Sequence, residues 1–409
     1  MTPSLAAAQD ARTAVHGIAV SEVGDEYARR GLDEWSDSQI SAAVADVVHV
    51  PRRDPADSFV LHAPLELEAR LALLPFVAPD QRTLARQHLV AIAAQYEAFG
   101  PPIDDLTDDV ADLPNRANPQ QWLLDAVTAG DLDDVDRAAT AVSRGAQPSQ
   151  LAVALVDDVA PRTAAAAHAP IFLYHLRRVS PRGELTPSLL RPLARSLAQA
   201  PDWRVHWLDE HRAASSASLE SLDECLRSVP LLGLPGSDFI HPLLQQVDHN
   251  AEITEALGAS VGRYSTDAAR AVLRVAAASM LAEPPDHAPY GWTHCLTLPQ
   301  ALLGLAPVSQ NPDRLLAMAA THVAAFRAAL ASRPLERVDV ELGRPHSTQH
   351  DLATAAATSH DAHVVKYVLA TFDAAAFDPD AAGLYLAAAQ RLLDVWAERG
   401  DPSDPLAAT

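Results

Sequence analysis

Apolar residues along this chain recur at intervals of three and four. Val364, Val365, Val368 and Leu369 sit at that spacing within residues 359–372 and predict a buried helix. Residues 61–74 form a second strong pattern, with Pro64 suited to a first helical turn and Pro75 and Pro79 to stop it. Residues 81–99 make an amphipathic helix closed by Gly100-Pro-Pro. Residues 118–130 and 131–145 read as a helical hairpin whose halves each end in glycine, the residue that tolerates the left-handed cap. Further helices are expected over 148–159, 167–178, 187–199, 266–282, 286–303, 312–330 and 380–398, at the His241-Pro start, and as a polar helix within 201–230. Helices in series with short connections favour antiparallel pairs. Residues 103–119, acidic and proline-containing, are expected as a surface loop, and residues 1–50 are the least regular part.

Composition sharpens the fold class. Hydrophobic residues make up 48% of the 409 positions but aromatics only 5%, and that apolar share is rich in alanine and leucine. Strands favour β-branched and aromatic side chains, so the balance points to packed helices. The expected architecture is all-α: antiparallel helix pairs in a single large domain over 56–409, with a partly irregular N-terminal arm over 1–55. A net charge of −22 argues against nucleic acid or an anionic membrane as partner, since both require a basic face. No apolar run approaches the roughly 18 residues of a membrane span, and the N-terminus has no secretory pattern, so a cytoplasmic location is expected. Cys225 and Cys295 are the only cysteines and form no CxxC, which removes thiolate metal sites and a disulfide framework. Cys295 reads as small core filler beside His294.

The chemistry lies in the histidines. His-Ala-Pro occurs at His62, His168 and His287, each opening an apolar helix, and in two of the three a second histidine follows seven residues on, His175 after His168 and His294 after His287. Seven residues is about two turns, so each pair shares a face, about 10 Å apart along the axis. With metal–nitrogen bonds of about 2.1 Å, one ion cannot take both members of a pair from a straight helix. The pairs therefore read as polar points along a pocket. His360, His363 and Lys366 share one side of the 359–372 helix, and His360 with His363 is the only close pair with ligand-like spacing. The ordinary alternative is helix grammar, with proline in the first turn and a histidine just outside it. The remaining histidines (His16, His49, His88, His206, His211, His249, His322, His346, His350) are expected at the surface or locally satisfied. No Gly-x-Ser-x-Gly, Gly-x-Gly-x-x-Gly or Glu-x-x-His is present.

On the hairpin 122–145, the His168-x6-His175 helix, the segment 293–302 and His363-Val-Val-Lys366, the chain resembles the questin oxidase-like family over roughly residues 60–395. The family often carries His-Pro at a helix start where this chain has His-Ala-Pro. The resemblance implies an NADPH-linked oxidative ring cleavage of an aromatic polyketide, of the Baeyer–Villiger type.

The expected function is thus an oxidoreductase acting on a bulky aromatic small molecule. His168, His175, His287, His294 and His363 are the expected catalytic hydrogen-bond partners and bases. Lys366 is expected to stabilise negative charge on oxygen, while His62, Tyr174, Trp292, His360 and Tyr367 line the substrate pocket. No metal is expected on this reading, although a metal-dependent hydrolase or oxygenase using His360 and His363 is the competing one. A non-catalytic helical scaffold or ligand carrier is a third, and a homodimer is compatible with all three.

Overall fold

A computed structural model of the protein describes residues 13–52, 58–103, 118–145, 148–179, 186–236, 239–336 and 345–399. The N-terminal twelve residues and nearly all of the expected acidic loop lie outside the described residues. Among those described, the chain is all-α: helices pack into one domain, with isolated backbone bridges at Arg52–Pro102 and Arg162–Arg204 and no strand.

Four helices form a closed circuit. Ser58–Leu73 packs on Ala169–Arg178 and on Ala362–Phe377, and Pro289–Leu305 packs on the same two, so each helix touches the next around the ring. Pro289–Leu305 is the most enclosed, because Thr266–Ala282 and Pro312–Leu330 cover its remaining sides. Alanine makes this possible. Ala317, Ala319, Ala320 and Ala324 of Pro312–Leu330 are fully buried, and their small side chains let helix axes approach closely.

Helix starts follow their local chemistry. Asn311 accepts from the Arg314 amide at 3.2 Å with Pro312 behind it, and Asp361 accepts from the amides of His363 (2.7 Å) and Val364 (3.1 Å). Gly130 closes Pro119–Ala129 at φ +69°, as its place in the hairpin requires.

Three expectations change. The helix expected from residue 61 begins at Ser58, which puts His62 and Pro64 inside it rather than at its start. The expected polar helix within 201–230 is two short pieces, Trp207–Glu210 and Leu219–Arg227, because Ser218 caps a new helix through a reciprocal bond with Ser221. The irregular arm carries Asp37–Val48, started by a Ser36–Gln39 capping box, and it packs against Arg82–Ala98 and Ser58–Leu73. Among the described residues no helix is long and apolar enough to cross a membrane.

Candidate functional site

The four-helix circuit brings four imidazoles to one point. His62 comes from within Ser58–Leu73, His168 caps Ala169–Arg178, His294 lies in Pro289–Leu305 and His363 in the first turn of Ala362–Phe377. His168 Nε2 stands 3.1 Å from His62 Nε2 and 3.2 Å from His294 Nε2. The His363 ring centroid is 4.6 Å from that of His62 and 5.2 Å from that of His294. One ligand atom from each of His62, His294 and His363 lies within 4.8 Å of the other two.

The backbone decides which nitrogen of two rings carries the proton. His168 Nδ1 sits 3.0 Å from the Ala165 carbonyl and 2.8 Å from that of Ala166, and His294 Nδ1 is 2.8 Å from the Tyr290 carbonyl. A carbonyl can only accept, so both Nδ1 atoms donate and both Nε2 atoms carry lone pairs turned toward the cluster. Holding His168 this way strains the chain. Ala165, Ala166 and Ala167 all have left-handed φ values of 56°, 48° and 56°, a conformation costly for residues with a Cβ.

Burial, chiefly, pushes His62, His168 and His294 well below the ordinary histidine pKa, and the Lys366 charge adds to the effect at each. His363 is lowered by burial and by Lys366, with Asp361 opposing. Lys366, three residues beyond His363, is itself pushed down to about 8 by burial, against the pull of Asp361 and Glu66. Burial alone would raise Asp361, but His363 and the Tyr290 hydroxyl hold its carboxyl down to about 2. That carboxylate is 3.6 Å from His363 Nδ1 and accepts from the Tyr290 hydroxyl at 2.7 Å. The Tyr290 ring also packs edge-on to His363, with centroids 4.5 Å apart, while 40% of the residue stays exposed.

Beside the histidines a narrow cavity of about 20 Å³, room for about one water, lies between three of the four helices. His294, His363 and Lys366 line it on the histidine side, its apolar walls include Ile171, Leu369 and Ala370, and Tyr174 and Asp373 also border it. Thr293, Thr297 and Gln300 run along one side at helical spacing.

Of the residues singled out in the sequence, the structure gathers His168, His294, His363 and Lys366 with His62, and His175 and Tyr174 line the cavity. It does not bring His287 there: that ring is exposed and its Nε2 bonds the Leu330 carbonyl at 2.6 Å. His360 faces a separate surface cleft and Gln95 rather than pairing with His363 on a ligand. Trp292 and Tyr367 are buried outside the cavity lining. Cys295 is fully buried, and that burial raises its thiol to about 12, in keeping with a core filler. Two histidines expected at the surface or locally satisfied, His88 and His322, are instead in the core, where helix packing closes over them. Neither ring nitrogen of His322 has a partner among the described residues.

Sequence reasoning passed over Tyr290, Asp361, Asp373 and Arg178. Asp361 had a readable signal, since an aspartate before an apolar helix is a ready cap. The other three are placed only by long-range packing. Searches against protein-family models, curated proteins and solved structures return no match to this chain.

Proposed function

We propose that the protein is a metal-dependent oxidoreductase, an oxygenase acting on an apolar, aromatic small molecule, with one metal ion held by His62, His168, His294 and His363. The observation that carries this reading is the convergence of lone pairs. His168 and His294 have spent their only N–H groups on backbone carbonyls, yet their Nε2 atoms stand 3.2 Å apart. Two facing acceptors repel. His62 can relieve one of them by donating to His168, which leaves His294 Nε2 without a donor in that arrangement. Protonating the cluster is opposed by burial and by Lys366. A cation bound among His62, His294 and His363, whose ligand atoms lie within 4.8 Å of one another, would relieve this repulsion, and His168 would join it by closing on His363 as well. Bonds of about 2.1 Å at right angles separate neighbouring nitrogens by about 3.0 Å, close to the observed spacing.

Four neutral imidazoles and no thiolate suit iron, copper, nickel or zinc, and a redox-active ion would supply the oxidation chemistry. The protein's own groups do the rest. Asp361 orients His363 through Nδ1, as carboxylates behind metal-bound histidines do. Lys366 offers an amine to negative charge developing on a substrate oxygen. Ile171, Leu369 and Ala370 make the approach to the histidines apolar, and a substrate would enter by parting these side chains. NADPH, which the family resemblance implies, would act as a reductant from solution.

A hydrolytic reading uses the same centre. The two readings differ in the ion they require, since zinc activates a bound water but supplies no redox chemistry. The test is reconstitution with Fe²⁺, Cu²⁺, Mn²⁺ or Zn²⁺ separately, followed by oxygen-uptake assays with hydroxylated naphthalenes and anthraquinones. The reading expects oxygen consumption only with a redox-active ion and its loss in His294→Ala. Ester or amide hydrolysis with zinc and no oxygen uptake would transfer the centre to hydrolysis.

A further inference from the structure

Two hydrogen-bond donors border the small cavity beside the histidines without a partner. Lys366 follows His363 by three residues on Ala362–Phe377, and Thr297 follows His294 by three on Pro289–Leu305. Both therefore stand about one turn beyond the cluster, on helices that pack together. The residues are 6% and 7% exposed, and neither the Lys366 amine nor the Thr297 hydroxyl makes a hydrogen bond or ion pair with a described residue.

Buried donors are normally satisfied, and an unpaired ammonium is costlier to bury than an unpaired hydroxyl. The nearby carboxylates are already engaged. Glu66 pairs with Arg70 at 2.6 Å and Asp373 with Arg178 at 2.7 Å, while Asp361 accepts from two backbone amides and the Tyr290 hydroxyl. With room for about one water, the cavity admits only a water-sized occupant.

Charge decides what that occupant is. The four circuit helices and the Asp361 cap carry four carboxylates (Glu66, Glu68, Asp361, Asp373) and four cations (Arg70, Arg177, Arg178, Lys366), which balance. Burial favours the neutral form of the four imidazoles. A divalent ion among them leaves two positive charges in excess, and His294 and His363 put that excess beside the cavity. Water would satisfy the two donors and leave the charge uncompensated; a small anion answers both.

We infer that the cavity is a binding site for one halide-sized monovalent anion, held by the Lys366 ammonium and the Thr297 hydroxyl beside the ion of the histidine centre. The inference rests on the reading that the histidines hold an ion, and it names the ligand that accompanies that ion. Ion and anion then bind cooperatively, each raising the affinity for the other by the same factor.

The test titrates fluoride and chloride calorimetrically into the Zn²⁺-loaded protein at pH 6, with acetate and benzoate as anions too large for the cavity, and repeats each titration without metal. The loaded protein should bind one fluoride or chloride per chain, at least about tenfold more tightly than the metal-free protein, and neither carboxylate should bind. Lys366→Met should weaken halide binding by at least about tenfold with zinc content unchanged, the value of a hydrogen bond to a charged group. Absence of halide binding by the loaded protein, equal affinity with and without zinc, or unchanged affinity in Lys366→Met overturns the proposal, as does acetate binding as tightly as chloride. If Lys366→Met does not fold, Thr297→Val, which keeps the shape of the side chain, decides the question by a loss of at least about threefold. Protein that takes up no zinc contradicts the histidine reading and the anion site with it, whereas zinc uptake without halide binding contradicts the anion site alone.

Discussion

His294 and His322 lie on two helices packed directly against each other, and both rings are buried. Burial lowers the pKa of both, that of His322 to about 3. There the likeness ends. His294 donates to the Tyr290 carbonyl and turns its other nitrogen toward His168, whereas neither nitrogen of His322 has a partner among the described residues. A depressed pKa therefore marks burial, not a site. What marks the site is several lone pairs brought to one point with their protons already committed elsewhere.

The largest expected effect breaks this comparison at His294. His294→Ala should lower metal affinity and turnover by at least about a hundredfold, since a lost ligand should cost no less than the loss of a supporting group. Equilibrium dialysis and chemical denaturation would read the two effects separately, and unfolding free energy without metal should change far less. His322→Leu should do the reverse: metal uptake unchanged, and unfolding free energy raised by about 1–2 kcal/mol at pH 7 because buried nitrogens without partners are removed.

Acid sharpens the contrast. Below about pH 6.5 the unfolded chain protonates His322 while the folded protein refuses the proton until about pH 3. The unfolded state then binds more protons, so wild-type stability must fall as pH falls through that window, by up to about 1.4 kcal/mol per unit from this residue. The advantage of His322→Leu should widen accordingly between pH 6.5 and 3, measured by denaturation at each pH. A constant difference would mean that His322 is hydrated or protonated in the folded state.

How much of this could be read in the sequence follows from what the sequence carries. The helices are local: Thr266–Ala282 and Pro312–Leu330 have the ends their periodicity and caps predict. The His-Ala-Pro recurrence led to His168 and His294, and the His363–Lys366 spacing placed a third histidine beside a lysine. The role of His62 was underestimated because its helix begins a turn earlier than Pro64 suggests, which moves the ring from a helix end to its middle. His287 and His294 looked equivalent from their shared motif, yet the left-handed Ala288 (φ 49°) turns the chain so that only His294 faces inward. Convergence of rings from four helices separated by up to 300 residues is a property of packing, and no spacing encodes it.

Smaller effects should distinguish the groups that support the centre from those that form it. Asp361→Asn keeps a good helix cap but removes the charge facing His363, so metal affinity should drop about tenfold with little change in helix content. Burial holds Lys366 down to about 8 in the metal-free protein and a cation at the histidines would lower it further, so the pH–rate profile of the metal-loaded enzyme should show an inflection below pH 8 that vanishes in Lys366→Met. Gly304→Ala, which drives a methyl into the Tyr174 ring, should destabilise by about 1–3 kcal/mol and leave metal stoichiometry intact.

The central claim is that four imidazoles from four helices hold one ion. X-ray absorption spectroscopy on the protein reconstituted with zinc, alongside elemental analysis, tests it most directly. The account predicts one ion per chain with four nitrogen neighbours at about 2.1 Å, reduced to three in His168→Ala. A folded protein that takes up no stoichiometric ion, or one whose ion keeps the same shell when His168 is removed, would contradict it.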